Sequence, residues 1–337
     1  MRLEVEPLDL ALRAPLRFAW GELATRELLS VRLIAEDGTE GRGEAAPLEP
    51  YDGIALATVR AALDVYVEVV GDLEEGAVLE ACRAERDLPH ALAAVDLALW
   101  DLAGRRAGRS VAQLISVEAA RSIPVNATID ASDRASAAGA AAAAGQAGFD
   151  TIKVKVGVGD DAGRLAAVRA AAGRGVAIRV DANGAWEVDE AVANLHALAP
   201  VGLELAEEPV HGVEALRAVR AEVDVALAMD ETAVEPGAVD SGATDAVCLK
   251  IARCGGISGV LRDAAAARAA GAVPYLASTF DGPVGIAAAV HAAAGLTAGG
   301  AMPAHGLATL GVFADPGERL RAVRGAIRVP SGPGLGV

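Results

Sequence analysis

Hydrophobic positions change their spacing near residue 122, and the change divides the chain into two styles. Before it, β-rich runs at 2–5 and 28–34 precede the turn Glu36-Asp37-Gly38, and Gly41-Arg42-Gly43-Glu44 closes a small antiparallel sheet. Segments at 55–70 and 89–107 follow with helical periodicity, and 94–104 is apolar on most sides, as a buried helix is. A hairpin sheet followed by helices makes an α+β unit. After residue 122 short apolar runs recur at 123–128, 151–156, 177–183, 203–209, 225–231, 246–251 and 273–279, with a weaker eighth near 301–307. Ala-rich helical patterns separate them, as at 164–172, 187–198, 213–221 and 258–270, the last closed by Gly271 as a C-cap. Strands joined through helices predict a parallel sheet, and eight of them predict a (β/α)-barrel. An open doubly wound sheet is the alternative. It needs a glycine-rich phosphate fingerprint after its first strand, where Ile129-Asp130-Ala131 stands instead. The expected division is 1–120 as an α+β cap, joined by the tail 308–337, and 121–307 as the barrel.

Within the second strand, Thr-Ile-Lys-Val-Lys-Val-Gly, alternation places Lys153 and Lys155 on one face and Ile152, Val154 and Val156 on the other. On a solvated edge the two lysines need no explanation. Inside a barrel they require an anionic counterpart.

Composition narrows the classes. Of 337 residues 53% are hydrophobic and 3% aromatic, so a large core must be built from Ala, Val, Leu and Ile. The net charge of −16 argues against nucleic acid and anionic membrane surfaces as partners. It leaves a small-molecule carboxylate open as substrate, because a metal or a few lysines reverse the field locally. Cys82, Cys248 and Cys254 have no metal-finger or CxxC spacing, which suits reduced thiols. No signal-peptide pattern follows Met1, and no apolar run reads as a membrane span, so the expected setting is cytoplasmic. Oligomeric state is left open.

Barrel chemistry collects at the C-terminal ends of the strands. Read in succession, those ends give Lys153 and Lys155, Asp181 and Asn183, Glu207, Asp230, then Lys250. Neighbouring strands lie about 4.8 Å apart, so three carboxylates come within reach of one ion with a lysine strand on either flank. Three carboxylates with water make a hard oxygen site for Mg²⁺, with Mn²⁺ as the alternative ion, and Zn²⁺ is disfavoured because no His or Cys is expected at these ends. A metal-held carboxylate acidifies its α-proton, and a lysine with a neighbouring cation can act as the base. Lys153 is that neighbour for Lys155. The chemistry predicted is proton abstraction next to a carboxylate.

Lys153-Val-Lys155, Asp181-Ala-Asn183, Glu207-Glu-Pro209, Asp230-Glu231 and Leu249-Lys250, in barrel order, resemble the enolase superfamily in its muconate-lactonizing-enzyme-like subgroup. Gly41–Glu44, 94–104 and Cys254-Gly255-Gly256-Ile257 are similar to that family's cap and to the turn after its sixth strand. The resemblance implies a modified TIM barrel of (β/α)7β type with an α+β capping domain formed by the N-terminal segment and the C-terminal tail. It implies Asp181, Glu207 and Asp230 as metal ligands, Lys155 and Lys250 as acid/base residues, and Lys153, Asn183 and Glu208 as supporting residues.

The choice of reaction rests on weaker features. Dipeptide epimerases of this subgroup carry an Asp-x-Asp at the eighth strand for the substrate's amino group, and Ala304-His305-Gly306-Leu307-Ala308-Thr309-Leu310 holds no carboxylate. That run, with Pro124–Thr128 and Asp181–Trp186, resembles o-succinylbenzoate synthases of menaquinone biosynthesis. The implied reaction is syn dehydration of 2-succinyl-6-hydroxy-2,4-cyclohexadiene-1-carboxylate by a lyase, with Lys155 moving the proton and Lys250 as a cation beside the substrate. The alternatives are a muconate-type cycloisomerase, an amino-acid or dipeptide racemase-epimerase, or, more remotely, a non-catalytic metal-binding barrel. Ser278 and Thr279 are candidate donors to a succinyl carboxylate, or else caps of the following turn. Arg179 either anchors an anion or pairs with the acidic cluster. Trp20 is a candidate substrate-facing aromatic, and His305 is read as incidental.

Overall fold

The computed structural model describes residues 1–18, 21–71, 73–297, 303–315 and 317–337. Three antiparallel strands open the chain, Arg2–Phe18, Gly21–Ile34 and Glu40–Ala45, with Arg2 opposite Ile34 and Leu29 opposite Ala45. The helix Pro89–Ala107 lies against the third strand, and Gly41 and Gly43 explain how closely. A Cβ on Gly41 would stand 2.0 Å from the Ala98 carbonyl oxygen, and one on Gly43 1.8 Å from that of Ala94. Paired glycines on the strand therefore match paired alanines on the helix. That helix starts with proline in its first turn and stops at Gly108, whose φ of 62° is left-handed. Its interior is buried as expected, and its acids serve as pins. Asp101 accepts the Arg42 N–H at 2.9 Å and the Leu335 N–H at 2.6 Å, while Asp96 accepts the Ser258 N–H at 3.0 Å. The first sheet, the C-terminal tail and a barrel helix thus meet on one helix.

Seven parallel strands follow in sequence order around the curled sheet: Ala127–Ile129, Thr151–Lys155, Ala177–Asp181, Leu203–Glu207, Leu227–Met229, Ala246–Leu249 and Val273–Leu276. The edges are joined by residues 305 and 306. His305 bridges Val125 on one side and Gly306 bridges Ala277 on the other, both in parallel. The expected α/β barrel with its separate antiparallel sheet is what forms. The strands are mostly shorter than the expected runs, and the first and eighth differ most. The first expected strand, 123–128, is split: Ser122–Pro124 pairs antiparallel with Ala326–Arg328 from the tail, and only Ala127–Ile129 enters the barrel. The first two residues of the eighth expected strand, 301–302, lie outside the described residues. The helix Pro283–Leu296 was not foreseen because Gly285 to Gly295 are buried throughout, which leaves no polar stripe to give a period.

Each barrel strand has two apolar destinations. Ile152, Val154, Ile178, Val180, Leu227, Met229, Val247 and Leu249 pack outward among the helices. Leu205, Ala228, Cys248, Tyr275 and Ala277 form a separate interior layer. Arg179 is in this interior, its guanidinium 5.4 Å from the Tyr275 ring centroid.

His291 ties three segments together inside the core. Its Nδ1 accepts the Ala112 N–H at 3.1 Å and its Nε2–H donates to the Leu335 carbonyl at 3.1 Å, so the ring is neutral. Burial pushes its pKa down to about 4. The unfolded imidazole binds a proton near pH 6.5, so this group's contribution is complete above that pH and is lost as pH falls toward 4. Its share of the loss at pH 5 is about 2 kcal/mol. Urea unfolding at pH 7.5 and 5 should therefore show a smaller pH difference in His291→Gln than in the wild type. An equal pH difference in both would show that His291 does not carry this linkage.

Candidate active site

The in-register pairing of three strands builds the centre of the site. Lys155 stands opposite Asp181, and Asp181 opposite Glu207. Lys153 Nζ donates to Glu207 Oε1 at 2.6 Å and lies 2.8 Å from Asp181 Oδ2. Lys155 Nζ donates to the same Asp181 oxygen at 2.6 Å and to Asn183 Oδ1 at 2.7 Å. Across the cluster, Lys250 Nζ bonds Asp230 Oδ1 and lies 3.2 Å from the Tyr51 hydroxyl. Asp181, Glu207 and Asp230 are all essentially buried. The structure therefore brings all seven strand-end candidates together, Asn183 through Lys155.

Electrostatics follows from that burial. Desolvation opposes the charge on Lys153, but Asp181 and Glu207 outweigh it and hold the ammonium well above the usual lysine range. Lys250 is held up in the same way, with Asp230 overcoming burial. Burial works against the Asp181 charge too, yet Lys153 and Lys155 bring its pKa down to about 2. Glu207 goes the other way: burial, with Asp181 and Asp230 close by, outweighs Lys153 and raises it to about 7. The expected role of Lys153 as a repelling neighbour of Lys155 is thus modified, since both ammonium groups share one Asp181 oxygen.

A hard divalent cation fits this donor set. The three carboxylates are buried oxygen donors, Glu207 stands in excess negative potential, and one oxygen of Glu231, Oε2, is buried without a partner at the edge of the cluster. Cys248 corrects one expectation. Its thiol faces the interior, and ligand atoms of Glu207, Asp230 and Cys248 lie within 4.8 Å of one another, so sulfur does reach the strand ends. Burial pushes that thiol up, so it stays protonated beside the carboxylates.

Two residues after the strands take unusual backbone conformations. Asn183 has φ of 46° and Glu208 of 40°, in the left-handed region. Asn183 links Lys155 to Glu231, donating its side-chain N–H to Glu231 Oε1 at 2.8 Å. Glu208 turns away from the interior that Glu207 faces. It accepts the Asp230 N–H at 2.7 Å and the Thr232 N–H at 2.9 Å, fixing the loop that presents Asp230.

Other expectations are relocated. Arg179 ion-pairs with Glu204 at 2.6 Å and donates to the Ala304 carbonyl at 2.8 Å, so it ties strands together and bonds none of the three site carboxylates. Ser278 Oγ lies 3.1 Å from Thr309 Oγ1 and accepts the Asp281 N–H at 3.1 Å, the turn-capping arrangement. The half-buried Thr279 carbonyl faces the Arg26 guanidinium at 3.4 Å. His305 is buried, accepts the Leu276 N–H at 3.0 Å, and stays out of the carboxylate cluster. Trp20 lies outside the described residues. Three contributors, Tyr51, Tyr275 and Arg253, stand outside the sequence motifs, and Glu231 gains a defined partner. Tyr51 donates its hydroxyl to Asp230 Oδ2 at 2.8 Å, and Tyr275 donates to Glu207 Oε2 at 2.7 Å. Arg253 pairs with Asp52 at 2.9 Å, and Glu231 receives Asn183. Alternation could have placed Tyr275 on the interior face; no local pattern points to Tyr51.

Comparison with known proteins agrees with this architecture. Residues 135–337 match the enolase C-terminal domain-like family and residues 3–116 the mandelate racemase / muconate lactonizing enzyme N-terminal domain. The hydrophobic dipeptide epimerase of Enterococcus faecalis is 28% identical, covering 87% of this chain and 86% of its own. A chloromuconate cycloisomerase of Delftia acidovorans is 30% identical, covering 98% and 94%. A crystal structure of the Enterococcus faecalis epimerase, complexed with Mg and the dipeptide L-Leu-L-Tyr, superposes with a TM-score of 0.89 at 27% identity over 99% of this chain and 98% of that one. The chain belongs to the mandelate racemase / muconate lactonizing enzyme family of the enolase superfamily. These relatives are epimerases and cycloisomerases, which favours the isomerase alternative over dehydration to o-succinylbenzoate.

The Glu208 bracket yields a stability test. Glu208→Ala leaves two buried N–H groups without acceptors and should cost about 2–5 kcal/mol in urea unfolding. A loss under about 0.5 kcal/mol would mean that the Asp230 loop holds itself.

Proposed function

We propose that this member of the mandelate racemase / muconate lactonizing enzyme family is a Mg²⁺-dependent racemase or epimerase of an N-acylated amino acid. The observation that carries the reading is the placement of two lysines on opposite flanks of one carboxylate cluster, Lys155 anchored on Asp181 and Lys250 on Asp230. In this reading Asp181, Glu207 and Asp230 hold the ion, which when bound offsets the negative charge that develops on the substrate carboxylate. Lys155, as the free amine, takes the α-proton from one face, and Lys250, as the ammonium, returns a proton to the other. The opposite enantiomer reverses the roles. Asn183 orients Lys155 through its side-chain oxygen. Residues 1–120 with 308–337 are read as the cap that closes over this site, and 121–307 as the barrel.

The acyl group on the substrate nitrogen follows from residues 303–310, which offer no carboxylate to a free ammonium. The relatives named as dipeptide epimerases support the half-reaction without fixing the substrate. Dehydration to o-succinylbenzoate is kept as a second reading on the Gly306–Leu310 run, where the hydroxyl of Thr309 meets that of Ser278.

Incubation in D₂O with Mg²⁺ and a panel of N-succinyl and N-acetyl amino acids, dipeptides, cis,cis-muconate and the cyclohexadiene carboxylate separates these readings by NMR. The expected result is α-deuteration with loss of optical activity in an N-acylamino acid, abolished by EDTA and restored by Mg²⁺. Lys155→Ala and Lys250→Ala should each lower racemisation by about 10³-fold or more, each variant still exchanging the proton of one enantiomer at most. Turnover of the cyclohexadiene acid alone, or full racemisation by Lys155→Ala, would reject the leading reading.

A further inference from the structure

We infer that Arg253 is a positioning residue that latches the cap segment Glu49–Asp52 onto the Asp230–Lys250 half of the site. The inference rests on the reading of that site as catalytic, and it concerns a residue with no part in the proton transfer.

Arg253 lies in the short helix Ile251–Cys254, which begins directly after Lys250, and its side chain is 9% exposed. Three contacts converge on it. Its Nε donates to Asp52 Oδ1 at 2.9 Å, its Nη1 to Asp230 Oδ1 at 3.4 Å, and its guanidinium carbon stands 4.4 Å from the Tyr51 ring centroid. Asp52 in turn accepts the Leu48 N–H through Oδ2 at 2.8 Å, so the carboxylate that receives Arg253 also fixes the start of its own segment. Tyr51, braced by that guanidinium, delivers its hydroxyl to Asp230 Oδ2 and stands beside Lys250 Nζ. One side chain therefore touches both the segment that closes the site and the carboxylate that the segment closes upon. A cavity of about 720 Å³ adjoins the network, with Tyr51, Asp52, Glu231 and Arg253 in its wall, so a displaced Tyr51 has space to move into.

The residue type fits the task. A planar guanidinium can lay its face on a phenol ring while its edge N–H groups donate to two carboxylates, and an ammonium has no such face. The helix Glu49–Asp52 is four residues long and has no buried residue. The Asp52 side chain is nonetheless 2% exposed, so what holds the segment is a buried polar contact. Arg253 with Asp52 forms the segment's only ion pair to the barrel among the described residues.

Hydrogen exchange on the substrate-free enzyme tests the latch without reference to any reaction. In Arg253→Gln the amides of 49–53 should exchange about tenfold faster or more, while those of the strands Leu227–Met229 and Ala246–Leu249 keep their wild-type rates. Asp52→Asn, at the other end of the same pair, should give the same local change, and the double variant should add little to either. On a turned-over substrate, Arg253→Gln should raise KM about tenfold while kcat falls no more than about threefold, with Arg253→Lys recovering only part of the loss. Unchanged exchange at 49–53, additive effects of the two substitutions, or acceleration spread over the whole barrel would overturn the inference. If no substrate in the panel turns over, the proposed function fails while the exchange experiment still decides the latch.

Discussion

The sharing of Asp181 and Glu207 by Lys153 is the constraint on which the site depends. Three carboxylates are drawn into a barrel interior, where an isolated charge costs many kcal/mol, and the largely buried Lys153 lies between two of them. Removing one member of such a buried pair costs about 3–5 kcal/mol, because the other is left without compensation. Lys155 and Lys250 complete the balance from either flank. The result is a charged interior that is tolerable only while register, strand order and side-chain direction are all kept. Glu207 is the member least well compensated, which is why its carboxylate is the one driven toward neutrality and the one most in need of a further cation.

The cap is held by the opposite kind of contact at one end and a similar kind at the other. Against the helix Pro89–Ala107, Gly41 and Gly43 allow backbone-to-backbone approach with no charge involved. At the barrel, Glu44 from the same strand accepts the Gly282 N–H at 2.7 Å and the Val284 N–H at 3.3 Å, at the start of the helix Pro283–Leu296. A carboxylate at a helix N-terminus satisfies orphan donors and meets the positive end of the dipole. Burial and the nearby Asp281 nevertheless push Glu44 up to about 7. Arg26, buried beside them, donates to the Ala46 and Pro47 carbonyls at 2.6 Å each and so braces the same junction. The cap is thus fixed at a rigid seam, while its short segment over the site is held by a few polar bonds.

That contrast bears on function. The three carboxylates and three lysines of the site all stand on barrel strands or directly after them. From the N-terminal unit, Tyr51 reaches the same Asp230 that Lys250 holds. The relatives of this family include a dipeptide epimerase and a chloromuconate cycloisomerase.

Strand alternation and barrel order were enough to nominate Lys153, Lys155, Asp181, Glu207, Asp230 and Lys250, because each owes its direction to a period of two and its height to its place at a strand end. The outward–inward division of Val154 from Lys155, and the burial of 94–104, were legible for the same reason. Tyr51, Arg253 and Tyr275 were not singled out, and neither were the partners of Arg179. Tyr51 and Asp230 are 179 positions apart, and no local period connects residues that meet only when the cap closes on the barrel. Arg179 sits on the predicted face, yet its partners are Glu204 of a neighbouring strand and Ala304, 125 positions on, and which of these it meets is set by how the distant segments pack. Local sequence determines which way a side chain points from its own backbone; which charges it then finds is decided by the packing of distant segments, because Coulomb and hydrogen-bond partners are chosen by distance in space.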